Sequence, residues 1–127
     1  LKHGGQIMGL DQVAYFKENG GEIDGEPQEV QVDIATWRKH PNLQGYMETL
    51  WRNRGGTGEF NCVSVELSWQ DVHDLASTII EGKLPETTGF FYGGNADKHY
   101  RLQDLEFCVK ALGYINEGNK VYYSSWY

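Results

Sequence analysis

Between residues 30 and 37 the chain alternates, with Val30, Val32 and Ile34 on one side and Gln31, Asp33 and Ala35 on the other. That is the two-residue period of a half-buried strand. Directly afterwards Leu43, Tyr46, Met47, Leu50 and Trp51 fall at i, i+3, i+4, i+7 and i+8. This predicts one apolar stripe on a helix that opens at Pro41, whose missing N–H is harmless there, and ends at Gly55-Gly56. Gly45 inside that helix costs about 1 kcal/mol relative to Ala, which implies close packing at its Cα.

The same reading extends in both directions. Residues 10–17 are β-prone, and Asn19-Gly20-Gly21 and Asp24-Gly25 supply turn chemistry. The first two strands are therefore expected to form a hairpin with a long acidic loop, Pro27 marking where the second can begin. A third strand is predicted over 60–67, where Val63, Val65 and Leu67 alternate with Cys62, Ser64 and Glu66. Ser68 is a suitable N-cap with Asp71 three residues on. The helix that follows carries Trp69, Val72, Leu75, Ala76, Ile79 and Ile80 on one face and is closed by Gly82 and Pro85.

Residues 84–100 are irregular, and the aromatic segment 89–94 within them reads as a brief strand or an ordered loop. A last helix from about 98 to 116 is predicted to face the core with Leu102, Leu105, Val109, Leu112 and Ile115, with Cys108 alongside and Gly118 as its cap. Residues 120–127 are a strand by composition. The order β-β-α-β-α-(β)-α-β predicts an α+β domain: a mostly antiparallel sheet of four to five strands with three helices on one face. Residues 1–7 carry no pattern and read as a leader or expression remnant, so the domain is placed at 8–127.

Composition narrows the class. A chain of 127 residues with 8 Tyr, 5 Phe and 4 Trp can bury a core without disulfides or metals. A net charge of −7 argues against a nucleic-acid partner, whose phosphates call for clustered Lys and Arg. No apolar run approaches the length of a membrane span, so no membrane partner is expected either. Cys62 and Cys108, the only cysteines, lack the spacing of redox or zinc sites and are expected to be free thiols in a reducing cytoplasm.

Three short motifs stand out together: Met8-Gly9-Leu10-Asp11 at the opening of a strand, Trp37-Arg38-Lys39-His40 before a helix, and Gly89-Phe90-Phe91-Tyr92-Gly93 before the last helix. Together they resemble a family of small tailed-bacteriophage and bacterial proteins that begin Met-Gly-Leu-Asp. The likeness spans most of residues 8–127 and implies a phage-type accessory protein in the cytoplasm of a bacterial host. It implies no catalytic residues.

Five residues stand out as ligand-binding candidates: Trp37, Arg38, His40, Tyr92 and His99. Arg38 offers a planar fork for carboxylate or phosphate, His40 and His99 can exchange a proton near neutral pH, and Trp37 and Tyr92 can stack on a ring. The plainer reading makes Trp37 a core residue, Arg38 a solvated charge and His40 a helix cap. Asp71, His73 and Asp74 lack the convergence of a metal site. Neither G-x-x-x-x-G-K-[ST] nor G-x-G-x-x-G nor G-x-S-x-G occurs, so no cofactor is implied.

Three functional expectations follow. The first is binding to a host protein or to a second copy of the chain, anchored by Phe90, Phe91, Tyr92 and the tail aromatics Tyr122, Tyr123, Trp126 and Tyr127. The alternative is a small-molecule site or an enzyme with a pocket for an anionic ligand between Arg38/His40 and the 89–94 loop. The third is an acidic mimic of DNA.

Overall fold

A computed structural model describes residues 9–87 and 96–127. Its elements are β1 (Asp11–Ile23), β2 (Glu26–Arg38), α1 (Pro41–Asn53), β3 (Ser64–Leu67), α2 (Trp69–Ile80), α3 (Ala96–Asn116) and β4 (Val121–Trp126). The strands form one sheet in the order β2-β1-β4-β3, antiparallel at every step. The fold is the expected α+β layer, with four strands and three helices among the described residues. The aromatic segment 89–94, Tyr92 included, lies outside them, as do residues 1–7.

The first hairpin is longer and tighter than expected. Both strands run for 13 residues and meet at Asp24-Gly25, whose φ angles of 52° and 80° make a two-residue turn of the type matched to strand twist. β4 reaches only from Asp11 to Phe16 along β1, so the distal part of the hairpin is a two-stranded ribbon. Its exposed, polar faces hide the alternation that marks a strand in sequence. One bulge in β1 falls at Gly20-Gly21, where the Gly21 N–H donates to Asn19 Oδ1 at 2.8 Å.

β3 is shorter than the predicted 60–67. Cys62 adopts φ 62° and its N–H donates to the Ser125 carbonyl at 2.8 Å, so the chain turns before it pairs. Both cysteines are free thiols, Cys62 exposed and Cys108 buried. Ser68 and Asp71 form a reciprocal capping box at the start of α2, as their spacing predicts. Arg54 pairs with the same Asp71. Burial pushes the Asp71 carboxyl up, but hydrogen bonds from Arg54 and Ser68 outweigh it and hold the group below its ordinary range.

Leu43 and Met47 of α1 and Val72, Leu75 and Ile79 of α2 are buried against Ala14, Phe16, Val65, Leu67, Val121 and Tyr123 of the sheet. α3 departs from expectation. It buries Asp104, Phe107, Cys108 and Ala111; of the predicted stripe Leu105, Leu112 and Ile115 pack against the core, whereas Leu102 and Val109 are 81% and 71% exposed. The helix is apolar on more than one face, and the most deeply buried one is that whose charged member, Asp104, finds buried donors. Tyr123 is likewise fully buried and cannot serve as a surface anchor, while Trp126 is exposed. Among the described residues no helix is long and apolar enough to cross a membrane.

Candidate functional site

The junction of β2 and α1 sets the site. Lys39 takes a left-handed φ of 58°, unusual for a residue with a long side chain, while its N–H donates to the Leu10 carbonyl at 2.8 Å. The chain then turns inward, and His40 occupies the helix N-cap without capping the helix through its side chain. The ring is instead fully buried.

Gln12 of β1 holds this turn from both sides. Its Oε1 accepts the His40 N–H at 2.9 Å, and its Nε2 donates to the His40 carbonyl at 3.0 Å and to the Tyr123 hydroxyl at 2.9 Å. The Tyr123 hydroxyl in turn donates to Gln44 Oε1 at 2.6 Å. These polar groups lie inside the core, where each bond replaces water that has been removed.

α3 completes the cluster. Asp104 accepts from the Trp37 indole N–H at 2.8 Å through Oδ1 and lies 2.8 Å from His40 Nε2 through Oδ2. The Tyr100 ring stacks on the imidazole at 4.9 Å between centroids. The Tyr100 hydroxyl donates to the Arg38 carbonyl at 2.8 Å and accepts the Arg38 N–H at 3.1 Å. On the far side, His40 Nδ1 faces Asp97 Oδ1 at 3.8 Å.

Two openings flank this buried centre. A groove of about 520 Å³ is lined by Trp37, Arg38, His99, Tyr100, Gln103 and Trp126, with Asp11, Gln12 and Thr36. A smaller cavity of about 210 Å³ is lined by Ile79, Gly82, Leu84, Asp97, Lys98, Arg101 and Asp104. Three sequence-derived candidates, Trp37, Arg38 and His99, thus share the groove. His40 lies beneath it under Tyr100, and Tyr92 lies outside the described residues.

Trp37 contributes mainly as a core side chain that donates to Asp104. Sequence reasoning passed over Gln12, Tyr100 and Asp104. A signal for two was present: Tyr100, Asp104, Phe107, Cys108 and Ala111 repeat at i, i+4, i+7, i+8 and i+11, a core stripe with a carboxylate in it.

Fold and cluster together define an α+β domain with a buried imidazole–carboxylate pair between a polar groove and a mostly apolar cavity. No family model, no curated protein and no solved structure matches the chain.

Proposed function

We propose that the protein binds a small anionic ligand in the groove formed by β1, the end of β2 and α3. One observation carries this reading: Arg38 and His99, from distant parts of the chain, line the same groove with the rings of Tyr100 and Trp126. The Arg38 side chain is 79% exposed, and its contact with Asp11 at 3.6 Å is a surface ion pair. Such pairs contribute about 0–1 kcal/mol, so an incoming oxyanion can displace it. The guanidinium fork suits a carboxylate or phosphate, His99 adds a donor, and the aromatic walls suit a flat or apolar remainder.

Calorimetric titration with inorganic phosphate, nucleoside monophosphates and short dicarboxylates tests the reading. At least one is expected to bind saturably, with Arg38→Ala at least tenfold weaker and an unchanged unfolding temperature. Wild-type protein that binds none of them at millimolar concentration would sink it.

A second reading has its own observation. Leu102 and Val109 lie seven residues apart on α3 and face solvent, with Ile80 of α2 also exposed. Exposed apolar side chains at helical spacing suit contact with another protein. Combined with the resemblance, this describes a phage-type accessory protein that engages a host protein, or a second copy of itself, in the bacterial cytoplasm. Leu102→Ser/Val109→Ser should then abolish capture of a host protein or self-association while leaving anion binding intact. If the double variant behaves as wild type in both assays, this second reading fails.

A further inference from the structure

The register of the sheet aligns three side chains of the groove. Asp11 of β1 stands opposite Arg38 of β2 on one side and opposite Trp126 of β4 on the other. Cross-strand partners share a face, and side chains alternate along a strand. All three therefore project from the face opposite to that of Ala14, Trp37 and Tyr123, which belong to the core. Cation, anion and ring form one row, in that order, across two strand spacings, roughly 10 Å. The three line the groove and meet solvent, the Asp11 side chain being 42% exposed and Trp126 48%.

Asp11 decides which anions the groove favours. It repels a ligand that carries negative charge alone, and such a ligand, on taking Arg38, leaves the Asp11 carboxylate beside a charge of its own sign. The Arg38–Asp11 contact is 3.6 Å long, beyond the distance of about 2.7–2.9 Å at which charge-assisted hydrogen bonds form. A ligand that offers each group a direct partner improves on it. An α-amino acid does so, because its carboxylate suits the guanidinium fork while its ammonium, one carbon away, donates to Asp11. The substituent on that same carbon then leads away from Arg38 toward Trp126, whose face suits a stacked ring.

We infer that the ligand of this groove is a free α-amino acid with an aromatic side chain, its carboxylate on Arg38, its ammonium on Asp11 and its ring against Trp126. The inference rests on the reading that the groove takes an anionic group, and narrows that group to one half of a zwitterion.

Calorimetric titration at constant ionic strength compares phenylalanine with hydrocinnamate, phenethylamine and alanine, which lack the ammonium, the carboxylate and the ring in turn. The Trp126 indole N–H resonance reports where each binds. Phenylalanine is expected to bind saturably and each of the others at least about tenfold more weakly, for want of one charge-assisted bond or of the stacked ring. Asp11→Asn should bring phenylalanine down to the affinity of hydrocinnamate without weakening hydrocinnamate itself; a merely structural Asp11 would weaken both. Trp126→Ala should erase the preference for phenylalanine over alanine, and decides the matter if Asp11→Asn fails to fold. The inference is overturned if hydrocinnamate binds as tightly as phenylalanine, or if Asp11→Asn keeps the wild-type preference between them. Arg38-dependent binding of hydrocinnamate would then leave the anion reading standing, whereas a groove that binds neither amino acids nor anions overturns both.

Discussion

Replacing Asp104 by alanine and by asparagine separates the value of the carboxylate from the value of its shape. Asp104 is 1% exposed and serves two donors, Trp37 Nε1 and His40 Nε2, each at 2.8 Å. Asp104→Ala leaves both donors buried without an acceptor, and removing one member of such a buried cluster costs about 3–5 kcal/mol. Asparagine keeps an oxygen for Trp37 and turns an amide N–H₂ toward His40. The imidazole can accept that N–H at Nε2 if its own proton moves to Nδ1, where it points at Asp97 Oδ1. Asp104→Asn then loses the charge assistance of two hydrogen bonds but neither bond, a cost of about 1–2 kcal/mol.

For a domain of this size about 4 °C accompanies each kcal/mol, so the melting temperature should fall by about 4–8 °C in Asp104→Asn and about 12–20 °C in Asp104→Ala. Denaturant unfolding measures the costs, and long-range ¹⁵N–¹H correlation identifies the protonated ring nitrogen. The tautomer should invert between wild type and Asp104→Asn. Equal destabilisation by the two variants, or a wild-type proton already on Nδ1, refutes the reasoning.

Three further outcomes are expected. Gly45→Ala should destabilise despite its better helix propensity, because a Cβ there collides with the Thr87 side chain; Thr87→Gly should recover the loss in the double variant, as denaturant midpoints would show. Burial pushes the Cys108 thiol up to about 12, so its contribution to stability is complete below about pH 9 and lost as pH rises toward 12. Comparison with Cys108→Ala should isolate a slope of up to about 1.4 kcal/mol per pH unit in that window. Asp71 titrates below its ordinary range in the folded protein, so its contribution is present above about pH 4 and disappears as pH falls through the folded value. Asp71→Asn should flatten the acid limb of a stability–pH curve, and an unchanged limb would refute that.

Local signals were the legible ones. The α1 stripe, the α2 capping box and the Asp24-Gly25 turn each depend on residues within one or two turns of chain, and each stands where its spacing predicts. The distal hairpin was illegible because both of its faces meet solvent, leaving no alternation to read. The core face of α3 was read only in part: Leu105, Leu112, Ile115 and Cys108 pack on the core as expected, but the helix is rotated toward a neighbouring stripe whose aspartate is made tolerable by Trp37 and His40. Of the site, Arg38 and His99 were readable as chemistry, and the pocket expected beside Arg38 was placed against the 89–94 loop, which lies outside the described residues. The burial of His40 follows from the left-handed Lys39 and the clamp by Gln12, neither of which leaves a spacing in the sequence.

The sheet order carries a consequence for how the chain reaches this state. β1 is paired along its inner half by β4, with Asp11 opposite Trp126, and the Gln12–Tyr123 hydrogen bond joins residues 111 positions apart. Contacts of such long sequence separation carry the loop-closure entropy that slows folding. On a ribosome the β1–β2 hairpin and α1 emerge well before β4, the strand that completes the sheet's centre. Until then β1 has an open inner edge and the core has no Tyr123. The buried centre beneath α3 cannot close until Tyr123 is available to Gln12 and Gln44, so truncation before Val121 is expected to remove the site's innermost hydrogen bonds together with the pairing of β1 and β3 with β4.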